Sequence, residues 1–151
     1  MAQIRVSFLR GTNIAFKVPQ GPQTLQDTFT ILVADRNPNV RELLKRELTA
    51  KGYRVHLARS CREVLGFIDN ASGTPDLLIA DPDLPDGDEI PLLEVIRGLA
   101  PDLPVVIHTF LADYILHPPV PAGAAVVEKD GGQVDRLKDI VHDLLHRPGP
   151  P

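Results

Sequence analysis

Leu77-Leu78-Ile79-Ala80-Asp81-Pro82-Asp83-Leu84-Pro85-Asp86 sets an unbroken apolar run against a turn rich in aspartate and proline. A run that is apolar on consecutive residues and too short for a helix reads as a strand covered on both faces. Its last residue hands the chain to a carboxylate. The same arrangement stands upstream at Phe29-Thr30-Ile31-Leu32-Val33-Ala34, which leads into Asp35. Downstream, further apolar runs stand at Val105-Val106-Ile107 and at Ala124-Ala125-Val126-Val127. Tyr53-Arg54-Val55-His56-Leu57 alternates instead, the pattern of an edge strand.

Helical spacing fills the gaps between these runs. Val40, Leu43, Leu44 and Leu48 recur at offsets of 3, 4 and 8, which lays one apolar stripe along a helix. Asn37 precedes it as a side-chain cap, Pro38 suits its first position, and Gly52 ends it. Ser60-Cys61-Arg62-Glu63 matches a capping box and opens a second helix that buries Val64, Leu65 and Ile68. A third is expected from about Glu89 to Gly98, using Leu92, Leu93 and Ile96, and a last one from Val134 to Leu145. Strand and helix alternating with short joins predict an α/β fold, a parallel sheet with helices on both faces. One segment breaks the pattern. Pro118, Pro119 and Pro121 leave room for at most two helical turns between Thr109 and Ala124, so the fourth helix is expected to be degenerate.

Three parts are expected along the chain. Residues 1–27 read as an extension, with strand-like runs Gln3 to Leu9 and Ile14 to Val18 around Arg10-Gly11-Thr12-Asn13, a hairpin, and then a linker. Residues 28–147 form the main domain, and residues 148–151, Pro-Gly-Pro-Pro, a disordered tail. The 151 residues are 43% hydrophobic and 24% charged, enough apolar content to exclude a wholly disordered chain. No apolar run reaches the roughly 18 residues of a membrane span, and none opens the chain as a signal peptide does. The lone Cys61 makes no internal disulfide, so the expected location is the cytoplasm. A formal net charge of −4 supplies no field that attracts nucleic acid.

In an open parallel sheet, chemistry gathers where strands end at the carboxyl edge. Those ends deliver Asp35, Asp81, Thr109 and Lys129. Two acids, a hydroxyl and an amine on one edge are what a phosphorylated carboxylate needs. Asp81 is the candidate nucleophile toward a phosphoryl donor. A divalent cation on the carboxylates offsets charge on the transferring group, Lys129 pairs with one phosphoryl oxygen, and Thr109 donates to another.

With these residues in register, the segment from Thr28 to Arg147 resembles a bacterial response-regulator receiver domain, CheY-like in type. Ile31 to Asp35, Asp81-Pro82-Asp83-Leu84-Pro85-Asp86, Thr109 and Glu128-Lys129 carry the resemblance. It implies a flavodoxin-like receiver fold, five parallel strands in the order 2-1-3-4-5. It further implies phosphotransfer to Asp81 from a histidine kinase or a phosphotransfer protein. Mg2+ would be held by Asp35, Asp81 and the backbone carbonyl of Asp83, with Thr109 as switch hydroxyl and Lys129 as the phosphate-pairing lysine. The implied protein is a phosphoacceptor in a two-component system, with at most self-catalysed phosphotransfer and dephosphorylation. Four residues follow Arg147, so the output is expected through contact with another protein.

Three positions depart from the family pattern. Arg36 stands where a second acid usually follows Asp35, the proline-rich stretch replaces most of the fourth helix, and the usual Lys-Pro is Lys129-Asp130. A guanidinium at Arg36 repels a divalent cation and pairs with Asp81 or its phosphoryl group. The alternative reading is therefore a phosphorylation-independent pseudo-receiver, an interaction module. A remote third reading takes Asp81-Pro82-Asp83 as the Asp-x-Asp nucleophile motif of a haloacid-dehalogenase-like phosphatase, against which stands its place on the third strand of five.

Blander roles go to the remaining residues. Asp83 and Asp86 are turn formers, Cys61 is a structural thiol, and His108, Phe110 and Tyr114 pack. His142 and His146, four apart and without a third ligand, read as a solvated or dimer-facing pair. The hairpin and the last helix are the two candidate homodimer contacts.

Overall fold

Strands β3 (Thr30–Ala34), β4 (Arg54–Ala58), β5 (Leu77–Ala80), β6 (Val105–Thr109) and β7 (Ala125–Glu128) form one sheet in the order β4-β3-β5-β6-β7, with every neighbouring pair parallel. This is the expected 2-1-3-4-5 order. The computed structural model describes residues 28–69, 73–110 and 123–147, and the backbone of residues 3–7 and 13–17. In the latter two stretches β1 (Gln3–Ser7) pairs antiparallel with β2 (Asn13–Lys17), Gln3 opposite Lys17 and Ser7 opposite Asn13. The expected linker, the degenerate fourth helix with Tyr114, and the tail lie outside the described residues.

The unbroken apolar runs become the inner strands because both faces are covered. All of β5 and β6 is buried, and all of β3 after Thr30. The edge strand β4 alternates exposed and half-buried residues, as its sequence does. Successive side chains point to opposite faces, so the strands feed two cores. On one face Leu32, Leu78 and Ile107 pack with Val64 and Ile96. On the other Ile31, Ile79 and Val106 pack with Leu44, Leu48, Leu137 and Val141. Full burial of each Leu or Ile contributes about 1.5–3 kcal/mol.

Among the described residues there are four α-helices, α1 (Pro38–Ala50), α2 (Cys61–Asp69), α3 (Leu92–Leu99) and α4 (Val134–Leu145). Helix α1 starts as its sequence requires. The Asn37 side chain accepts from the Asn39 N–H at 2.9 Å, and Pro38 takes the first position. It ends in a Schellman motif, with Tyr53 N–H to Leu48 O, Gly52 N–H to Thr49 O and Gly52 at φ 94°. Only glycine reaches that φ without steric cost.

Two local expectations need correction. The Ser60 hydroxyl caps the Glu63 N–H of α2 at 3.1 Å, but the returning carboxylate of Glu63 accepts from Arg59 N–H at 2.7 Å and so overshoots Ser60. Helix α3 begins at Leu92 rather than near Glu89. Pro91 disfavours helical geometry at Ile90, and the chain from Asp86 to Ile90 is instead a tight turn in which Glu89 and Ile90 N–H donate to Asp86 O. No helix among the described residues is long and apolar enough to cross a membrane.

Candidate functional site

The registers of the sheet bring the strand ends together. Ala34 of β3 lies opposite Ala80 of β5, so Asp35 and Asp81 leave the sheet side by side. Backbone bonds hold both in place, Asp35 N–H to Ala58 O at 3.1 Å and Asp81 N–H to Ala34 O at 2.8 Å. On the other side Thr109 of β6 lies opposite Glu128 of β7, and Lys129 N–H donates to Thr109 O at 2.7 Å. Each of the four predicted residues thus occupies one edge of the sheet.

Asp35 and Asp81 are 1% and 3% exposed. The Lys129 ammonium sits between them, 2.8 Å from Asp35 Oδ2 and 3.3 Å from Asp81 Oδ2, its own side chain 7% exposed. Burial raises the Asp35 pKa above the ordinary carboxylate value, with the Lys129 ammonium and the Asn37 N–H opposing it. Two further donors serve Asp81. Asp83 N–H donates to Oδ1 at 2.9 Å, closing the turn foreseen there, and Arg36 N–H reaches Oδ2 at 3.3 Å. The Arg36 side chain follows, with Nε 3.8 Å from Asp81 Oδ2 and half of its surface open to solvent. A cleft of about 700 Å³ opens beside Asp81, walled by Arg36, Asp83, Leu84, Leu92 and Ile107.

Thr109 is buried at this edge, but its hydroxyl donates to Phe110 O at 3.3 Å rather than to Asp81. The Phe110 ring lies under the Lys129 ammonium, 5.7 Å from it, and is half exposed. His108 is buried behind the edge. Burial and then the nearby Lys129 charge push its pKa down to about 4, so the imidazole is neutral at physiological pH.

Two residues carry more than their sequence context suggested. Arg41, on the first turns of α1, donates from Nη1 to Asp35 O at 2.7 Å and so braces the backbone of the acid. Asp86 lies in the turn foreseen for it, yet its carboxylate also accepts the first two N–H groups of α2, from Cys61 at 2.7 Å and Arg62 at 3.1 Å. The available signal was that Ser60 leaves those two donors unserved. Cys61 is inert, because burial and the neighbouring Asp86 push its thiol up to about 12. The His142 and His146 rings stack at 4.1 Å, and among the described residues no group of three His, Cys, Asp or Glu gathers to hold a metal.

That arrangement bears on Mg2+, which takes near-octahedral oxygen ligands and here would rely on the carboxylates. Only Asp35 and Asp81 converge among the described residues, and the Oδ2 atoms of both face the Lys129 ammonium. Arg36 adds a second cation where the resemblance implies a third acid. With a guanidinium in place of that acid, the residues present fit a divalent ion poorly.

The family model for the response regulator receiver domain matches residues 31–119. Response regulator MprA from Mycobacterium tuberculosis is 40% identical over 79 residues, 52% of this chain and 34% of that protein. The chain therefore spans about a third of the length of the curated relatives it matches. Response regulator protein TrrA from Thermotoga maritima, solved in complex with Mg(2+)-BeF, is 35% identical with a TM-score of 0.67, covering 78% of this chain and 100% of TrrA. A two-component response regulator from Clostridium difficile gives a TM-score of 0.68 at 28% identity, covering 82% of this chain and 100% of that one. The parallel sheet, the acids at its carboxyl edge and these matches agree, and the chain belongs to the response regulator receiver domain family.

Proposed function

We propose that Asp81 accepts a phosphoryl group from a histidine kinase or phosphotransfer protein, and that the domain of residues 28–147 passes the change on through contacts with another protein. The observation that carries this reading is the buried Asp81 carboxylate at the mouth of a cleft, with the Lys129 ammonium 3.3 Å from Oδ2. A carboxylate oxygen of Asp81 attacks phosphorus, an O–P bond forms, and the P–N bond to the donor histidine breaks. The imidazole leaves with the electron pair. Lys129, already poised, pairs with a phosphoryl oxygen as charge collects there. Thr109 would exchange its bond to Phe110 O for one to the phosphoryl group, which biases the edge of β6 and β7 toward a second arrangement. The chain acts as a phosphoacceptor in the cytoplasm, with residues 1–27 an extension of the receiver.

Acetyl phosphate read by intact mass tests this directly. The protein should gain one phosphoryl group and Asp81→Asn should gain none. Equal labelling of both would place the chemistry elsewhere. A second reading, a phosphorylation-independent interaction module, is favoured by the donors Asp81 already has from Asp83, Arg36 and Lys129. Absence of uptake under every condition would select it.

A further inference from the structure

We infer that the Arg36 guanidinium does the electrostatic work of a divalent cation at Asp81, so that phosphoryl uptake there is metal-independent. The inference rests on Asp81 being the phosphoacceptor. Exchanging an acid for a guanidinium after Asp35 raises the charge of the pocket by two, which is the charge of the ion that the family's second acid would help to hold. The balance around a phosphoryl group is therefore the same with Arg36 and no metal as with two acids and Mg2+.

Geometry supports the exchange. The space between the two carboxylates is taken by the Lys129 ammonium, 2.8 and 3.3 Å from their Oδ2 atoms. The family pattern pairs such a lysine with a metal, so the departure is Arg36, whose guanidinium a divalent ion at Asp81 would also meet, and like charges repel. Arg36 stands on the solvent side of Asp81, its side chain 50% exposed against 2% for Asp81, where an incoming donor arrives. Its backbone N–H already anchors it to Oδ2 at 3.3 Å. A half-exposed guanidinium held to Asp81 only by a 3.8 Å ion pair is free to pivot, and its planar fork matches two phosphoryl oxygens at once. In the reaction it makes no covalent bond. Asp81 forms the new O–P bond, the donor's bond to phosphorus breaks, and the leaving group departs with the electron pair while Arg36 and Lys129 donate hydrogen bonds to the transferred oxygens.

The test compares acetyl phosphate labelling in EDTA and in MgCl2, by intact mass, for the full chain, Asp81→Asn, Arg36→Gln and Arg36→Asp. A second readout needs no phosphorylation, namely Mn2+-induced broadening of the Asp35 and Asp81 amide signals in NMR spectra. The unmodified chain should label at rates within about twofold in the two media, Arg36→Gln should slow by about tenfold in EDTA, and Mn2+ should leave the unmodified signals sharp. Arg36→Asp should gain both magnesium-dependent labelling and Mn2+ broadening. Greater magnesium stimulation of the unmodified chain, or broadening of its signals, would overturn the inference while leaving Asp81 as phosphoacceptor. Labelling absent in both media, or kept in Asp81→Asn, would overturn the phosphoacceptor reading and the inference with it. Should Arg36→Asp not fold, the two readouts on the unmodified chain decide alone.

Discussion

His108 shows how one buried side chain ties the pocket to stability. Its ring is 7% exposed, and Nδ1 has no hydrogen-bond partner among the described residues. The unfolded imidazole takes its proton near the ordinary 6.5 and the folded one only at about 4. Between these values the unfolded state binds more protons, so stability falls as pH falls, by up to about 3 kcal/mol once both states are protonated. Chemical denaturation from pH 7 to 4 should show the natural chain losing stability relative to His108→Leu across that window. Parallel curves for the two proteins would remove the buried imidazole from the account. In the Asp35–Lys129–Asp81 group burial likewise disfavours a charge, raising the Asp35 pKa, and removing Lys129 would leave two buried carboxylates without the ammonium they share.

At the scale of the element, the turn after β5 is fastened to α2. Asp86 takes the two N–H groups that Ser60 leaves unserved, and Arg62 Nη2 lies 3.3 Å from Glu89 Oε2 across the same gap. The turn that begins at Asp81 is thereby held by the helix that precedes β5 in sequence. The N–H groups of Cys61 and Arg62, outweighing desolvation, keep Asp86 below its ordinary carboxylate pKa, so the cap is charged at neutral pH. Asp86→Ala should cost about 1 kcal/mol in urea denaturation, the usual worth of a helix cap, while Asp86→Asn keeps an acceptor and most of the stability. Equal losses in the two variants would mean that charge rather than hydrogen bonding does the capping. Gly87 restricts the same turn, since a Cβ there would stand 3.1 Å from Leu84 O.

Within the described part of residues 28–147, the five-stranded sheet lies between two cores fed by the same strands. Ile31 faces the core under α1 and α4, and Ile96 of α3 lies in the other. Ile31→Val and Ile96→Val should each cost about 1 kcal/mol and add within about 0.5 kcal/mol in the double variant. A larger coupling, measured by the same denaturation, would show that the sheet transmits packing from face to face. The sheet and its helices were legible because burial on both faces demands consecutive apolar residues, as in Leu77 to Ala80, and burial on one stripe demands helical spacing, as in Val40 to Leu48. Asp35, Asp81, Thr109 and Lys129 were legible too, because in a parallel sheet the last residue of each strand is carried to a common edge. Of the partners around them, only the pairing of Arg36 with Asp81 was legible in advance. That Lys129 lies between the two acids, that the Thr109 hydroxyl turns to Phe110 O, and that Asp86 caps a helix 24 residues upstream all depend on how separate strands and loops approach one another. Periodicity is a local property of the chain and is written in it. The partner of a polar side chain is set by register and loop path, which exist only once the sheet has closed.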